Sequence, residues 1–75
     1  MSVYKLIALV NPEIAILRLL KDKPDGMNII AIKKEVDISI KKTKQILEDL
    51  YTRAKLNKYK VGASMVYYIE FRKNG

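Results

Sequence analysis

The apolar residues of this chain change period once, near Leu56. From Pro12 to that point they recur mainly at helical spacing. After it, Met65, Tyr67, Ile69 and Phe71 alternate with Val66, Tyr68, Glu70 and Arg72. A period near 3.6 puts apolar side chains on one stripe of a helix, and a period of two puts them on one face of a strand. With 75 residues there is room for one domain. The expected order is therefore helices first and a β-hairpin last.

Local signals divide the helical part. Asn11-Pro12-Glu13 reads as a helix start: Asn caps, Pro fits the first position, and Glu suits the positive helix end. That helix is expected over about 12–22, with Ile14, Leu17 and Leu20 as its core stripe. Ala15, Ile16 and Leu19 widen the stripe, so the helix needs cover on two sides. Lys23-Pro24-Asp25-Gly26 is a turn. Met27-Asn28 fits a short strand, and Asn28 caps a helix over 29–36 with Ile29, Ile32 and Val36 inward.

After the break at Asp37-Ile38, Ser39 caps a third helix over about 40–54. Its core residues are Thr43, Leu47 and Leu50, with Ala54 near the end. Asn57, Tyr59 and Val61 then alternate with Lys58 and Lys60, and Gly62-Ala63-Ser64 forms the loop of the hairpin. Tyr59, Tyr67 and Phe71 are expected to close the core beneath it, and residues 73–75 to fray. Residues 3–10 match both periods and stay unassigned.

Composition removes whole classes of function. The chain has no Cys and no His. Disulfides, cysteine-ligated zinc and Ser-His or Cys-His nucleophiles are therefore excluded. The expectation is a protein that is not an enzyme and uses no metal, cofactor or small-molecule ligand. A domain of this size buries only about 60% of its unfolded surface, which leaves little core for a dry catalytic cleft. No apolar run approaches the length of a membrane span, and residues 3–10 do not read as a signal peptide. The expected location is cytoplasmic, associated with the nucleoid.

Net charge is +7, and its placement is uneven. Residues 1–40 hold six bases and five acids. Residues 41–60 hold Lys41, Lys42, Lys44, Arg53, Lys55, Lys58 and Lys60 against Glu48 and Asp49. A basic balance of this kind favours nucleic acid or an anionic membrane surface as partner. The bland alternative is a solvated helix face. Glu48 and Asp49 are expected to pair with Lys44 or Arg53 at helical spacing.

The order of helix, short strand, helix, tight turn, helix and hairpin resembles the winged helix-turn-helix family. Met27-Asn28-Ile29, Val36-Asp37-Ile38-Ser39, Leu47, Leu50, Leu56 and Val66-Tyr67-Tyr68 carry the resemblance, which spans about residues 11–72. It implies an α+β fold of three helices with a C-terminal β-hairpin wing. Two positions depart from the family pattern: Lys33 stands where a small residue is usual, and Asp37 where Gly is common in the turn. Asp tolerates left-handed backbone better than most residues. Lys33 can lay its stem on the core with its charge outside.

The resemblance also implies double-stranded DNA as partner, with the helix over 40–54 in the major groove. A helix for that groove needs a core face and base-reaching side chains near its N-terminus. Ser39, Ile40, Lys41, Lys42, Lys44 and Gln45 occupy that end. The lysines suit phosphates or guanine, Gln45 suits adenine, and Ile40 suits either a thymine methyl or the core. Lys58, Lys60, Gly62 and Ser64 are the wing candidates, expected on flanking backbone or in the minor groove. Edge lysines that block aggregation are the structural alternative.

Residues 3–10 and the over-apolar first helix point to a homodimer, with Tyr4 and Tyr68 as further contact candidates. Intrachain packing is the other outcome. Stacking of the tyrosines on single strands is the weaker reading beside core or interface. The expected function is a sequence-specific transcription regulator. The alternatives are a non-specific architectural chromatin protein and a protein-interaction winged helix. The Ile- and Lys-rich composition is similar to that of thermophile proteins, and to small regulators of archaea and their viruses and plasmids.

Overall fold

A computed structural model describes residues 2–70. Four helices precede the hairpin: α1 (Val3–Val10), α2 (Pro12–Asp22), α3 (Ile29–Val36) and α4 (Ile40–Thr52). The strands are β1 (Met27–Asn28), β2 (Asn57–Val61) and β3 (Ser64–Tyr68). They form one antiparallel sheet in the order β1-β3-β2. The domain is α+β, with four helices where three were expected, because residues 3–10 are helical.

Each helix starts on a side chain that accepts a free amide. Asn11 Oδ1 accepts from Ile14 N at 3.2 Å, Asn28 Oδ1 from Ala31 N at 2.9 Å, and Ser39 Oγ from Lys42 N at 3.1 Å. Ser2 does the same for α1, accepting from Tyr4 N at 3.2 Å. α3 ends on Asp37 at φ 57° and ψ 53°, the left-handed conformation that the turn demands. The Lys23–Gly26 turn closes with Gly26 N donating to Lys23 O at 2.9 Å.

The core lies between α2, α3, α4 and the sheet. Ala15, Ile16, Leu19 and Leu20 of α2 meet Ile32 and Val36 of α3, Leu47 and Leu50 of α4, Leu56 and Tyr67. Ala8 adds the α1 edge. Each fully buried Leu or Ile contributes about 1.5–3 kcal/mol by leaving water. Thr43 is the one buried polar residue among the described residues, and its hydroxyl donates to Ser39 O at 2.8 Å. α1 packs chiefly on α2 and α3. It thereby supplies the second cover that α2 needs.

Several expectations change. Ile14 is 54% exposed, because the buried arc of α2 is centred on Ala15, Ile16, Leu19 and Leu20. α4 stops at Thr52, two residues early. Ala54 is exposed and left-handed at φ 59°, with Ala54 N donating to Tyr51 O and Lys55 N to Leu50 O. This is a Schellman closure that turns the chain so that Leu56 enters the core. Tyr59 does not close the core: it is 45% exposed and meets Tyr68 edge-on at 5.5 Å. The pairing of Lys58 with Tyr67 decides this, since it puts Lys58 on the core side and Tyr59 opposite.

Tyr4 is half-buried against the core, and its hydroxyl donates to Asp22 Oδ2 at 2.6 Å. Tyr68 is also half-buried. The hairpin loop is two residues, Gly62-Ala63, and Ser64 pairs with Val61 as the first residue of β3. Positive φ at Gly62 alone is the sign pattern of a type II′ turn. Phe71, Arg72 and residues 73–75 lie outside the described residues.

Candidate nucleic-acid interface

The surface of interest is the outer side of α4 and the adjoining face of the hairpin. Thr43, Leu47 and Leu50 bury one side of α4. Helical spacing then aims Lys41 and Gln45, one turn apart, directly away from the core. Lys44, Glu48 and Tyr51 form the flank toward β2, and Lys42, Asp49 and Arg53 the flank toward α2. Ile40, Lys41, Lys42, Lys44 and Gln45 are all exposed, and Ile40 keeps 46% of its surface in water. Ser39 is exposed, with its Oγ already accepting the Lys42 amide.

The basic side chains of α4, its C-cap and the hairpin fall into two groups. Arg53 is neutralised: its Nη1 lies 2.7 Å from Glu13 Oε1 and 3.0 Å from Asp49 Oδ2. Lys58 is neutralised too, with Nζ 3.1 Å from Glu48 Oε2 and 4.3 Å from the centre of the Tyr51 ring. Its hydrogen bond to Glu48 holds the ammonium pKa above the ordinary lysine value. Lys41, Lys42, Lys44 and Lys60 make no ion pair among the described residues. Unpaired lysines therefore stand at the N-terminal half of α4 and near the hairpin tip, and among the described residues Lys5, Lys21, Lys23, Lys33, Lys34 and Lys55 are likewise outside any ion pair.

The hairpin contributes unequally. Lys58 and Lys60 share a strand face by alternation, and this face looks toward α4. Only Lys60, nearer the tip, remains without a protein partner among the described residues. A Cβ added at Gly62 would meet nothing within 4 Å, so Gly62 serves the turn's backbone and leaves the tip slim. Ser64 is exposed beside it. Thus Ser39 to Gln45 gather at one end of α4, while Gly62 and Ser64 sit at the far end of the hairpin.

Sequence reasoning missed the Glu48–Lys58–Tyr51 cluster. It assigned Glu48 to Lys44 or Arg53 by spacing along one helix. The actual partner comes from a strand, and only the hairpin's position against α4 brings it near. Tyr67 Oη, 3.4 Å from Glu48 Oε2, completes the cluster. Asp49 does pair with Arg53, as spacing suggested, and Glu13 joins them from 40 residues away.

No helix among the described residues is long and apolar enough to cross a membrane. No family model matches the sequence. Comparison with curated proteins found no match either. The helices followed by an antiparallel hairpin, with β1 beside β3, are consistent with a winged-helix-like fold.

Proposed function

We propose that this chain is a winged helix-turn-helix DNA-binding protein and acts as a transcription regulator. In this reading α3 and α4 are the helix-turn-helix pair, α4 enters the major groove, and the β2–β3 hairpin is the wing. The observation that carries it is the division of the basic side chains along α4 and the hairpin. Lys41, Lys42 and Lys44 stand free of ion pairs among the described residues, at the end of α4 that base-reading helices present. Arg53 and Lys58, further from that end, are satisfied internally.

Roles follow from chemistry. Lys41, Lys42 and Lys44 contact phosphates or guanine acceptors, and Gln45 pairs with adenine through its amide. Ile40 supports this with its exposed side chain, which can meet a thymine methyl. Ser39 donates its hydroxyl proton to a phosphate while its oxygen keeps the cap. Lys60, Gly62 and Ser64 approach the flanking backbone.

The test is selection of bound sequences from a random duplex library at near-physiological salt, then titration of the enriched and scrambled sequences. A regulator binds its selected sequence at least roughly 10³-fold more tightly than scrambled DNA. Equal affinity for both replaces it with an architectural role, the reading that a face of lysines with one amide also supports. Absence of binding to either removes DNA as the partner.

A further inference from the structure

α1 carries an apolar face that the other described residues leave bare. Val3, Leu6, Leu9 and Val10 are all exposed, Leu9 at 76% and Val10 at 89%. At helical spacing these four occupy one continuous arc, opposite Tyr4 and Ala8 that pack inward. Ile14, exposed in the first turn of α2, follows four residues after Val10. Together they present roughly 500 Å² of accessible apolar surface, at the upper end of what monomeric proteins show in one patch.

We infer that this face is covered by a second copy of the same chain, forming a two-fold dimer through α1. Two arguments select that occupant. The first is area: two such faces, when fully covered, bury about 1,000 Å², the least that a specific interface needs. A two-fold axis sets the same patch against itself, so an uncharged apolar stripe is self-complementary without further features. The second is charge. The arc itself holds no ionisable side chain; Lys5 and Asp37 border it at Leu9, one of each sign. A strongly acidic or basic partner would find no net charge to pair with there.

Charge elsewhere on the chain agrees. Two copies of a +7 protein repel unless their basic regions stay apart. Residues 1–40 are nearly balanced, whereas the excess lies in residues 41–60, on α4 and the hairpin. α1 packs chiefly on α2 and α3, so joining through it brings the balanced halves together. Both α4 surfaces remain open. The inference does not rest on the proposed DNA role, because the assembly is read without DNA.

Sedimentation equilibrium of the DNA-free chain, over concentrations into the high micromolar range, tests it. The expected mass is twice 8.7 kDa. Leu6→Lys combined with Val10→Lys is expected to give a monomer, weakening association at least roughly 100-fold. Both positions are exposed, and an unchanged circular dichroism spectrum shows that the fold survives. Lys41→Ala with Lys42→Ala, remote from α1, is expected to stay dimeric. A monomeric wild-type chain overturns the inference, as does a dimer indifferent to the α1 double substitution. If the double variant is unfolded, Leu9→Lys alone is measured, and a dimer of undiminished strength there overturns it equally.

Discussion

Lys58 Nζ lies 3.1 Å from Glu48 Oε2, so a lysine of the hairpin is held by a carboxylate of the helix it packs beside. The same ammonium stands over Tyr51, and Tyr67 reaches the same carboxylate. The Lys58 side chain keeps only 23% of its surface in water. The cluster ties the hairpin to α4 and removes one cation from the outward charge.

Glu48→Gln should release that cation. DNA affinity is expected to rise at low salt, and the slope of log K against log salt to steepen by about 0.9 as one more phosphate is neutralised. Hairpin amides should exchange faster with solvent, since the tie to α4 is weakened. An unchanged slope together with unchanged exchange would mean that the pair neither occupies Lys58 nor restrains the hairpin.

The free lysines should behave differently. Lys41→Ala with Lys42→Ala is expected to flatten the salt slope by about 1.8, and Lys60→Ala by about 0.9. Lys58→Ala should change it least, because Glu48 already compensates that charge. Equal effects of Lys58→Ala and Lys60→Ala in titrations at several salt concentrations would contradict the division drawn here.

Gly26→Ala should be strongly destabilising. Gly26 has φ +86°, and an added Cβ would stand 2.7 Å from Val66 Cγ1 and 2.8 Å from Tyr67 O. Backbone strain and overlap with β3 together are expected to cost about 2–4 kcal/mol in urea unfolding. A loss below 1 kcal/mol, on the order of ordinary surface changes, would show that the turn does not press on the sheet in this way.

Ala54→Gly should do the reverse. Ala54 sits at φ 59° in the closure of α4, where glycine has no Cβ to strain. Relief of that strain, less the greater freedom of glycine in the unfolded chain, leaves a gain of about 0.5–1 kcal/mol. The urea midpoint should move upward with an unchanged m-value.

Tyr4 offers a pH test. Its hydroxyl donates to Asp22, so ionisation would set two anions together, and its pKa is raised above 10.0. Burial and the neighbouring Glu48 raise Tyr67 as well. The folded state thus holds these protons more tightly than the unfolded chain does. Their contribution to stability is complete below pH about 10 and is lost as pH rises through the folded pKa values. In a spectrophotometric titration of the native protein, Asp22→Asn should shift part of the tyrosine signal to lower pH.

The elements that rest on neighbours in the chain are legible in the sequence. Asn11, Asn28 and Ser39 cap helices as their side-chain chemistry suggests, because a cap needs only an amide two or three residues on. The left-handed turn at Asp37 and the glycines at 26 and 62 follow from local backbone sterics. The inward set Ile32, Val36, Thr43, Leu47 and Leu50 follows from helical period alone. The exposed basic end of α4 follows from the same period.

What the neighbours in space decide was not legible. Residues 3–10 fit strand and helix equally, and packing of Ile7, Ala8 and Tyr4 against the core makes them α1. The Ser2 cap was the one local sign of it. Tyr59 faces outward and Lys58 inward because the register with β3 fixes which strand face meets the core. Lys58 as the partner of Glu48, and Glu13 as the second partner of Arg53, stand 10 and 40 residues away. Local chemistry determines where this chain turns and which helix face is apolar. The packing of helices against the sheet determines which charges are spent inside the molecule and which remain for a partner.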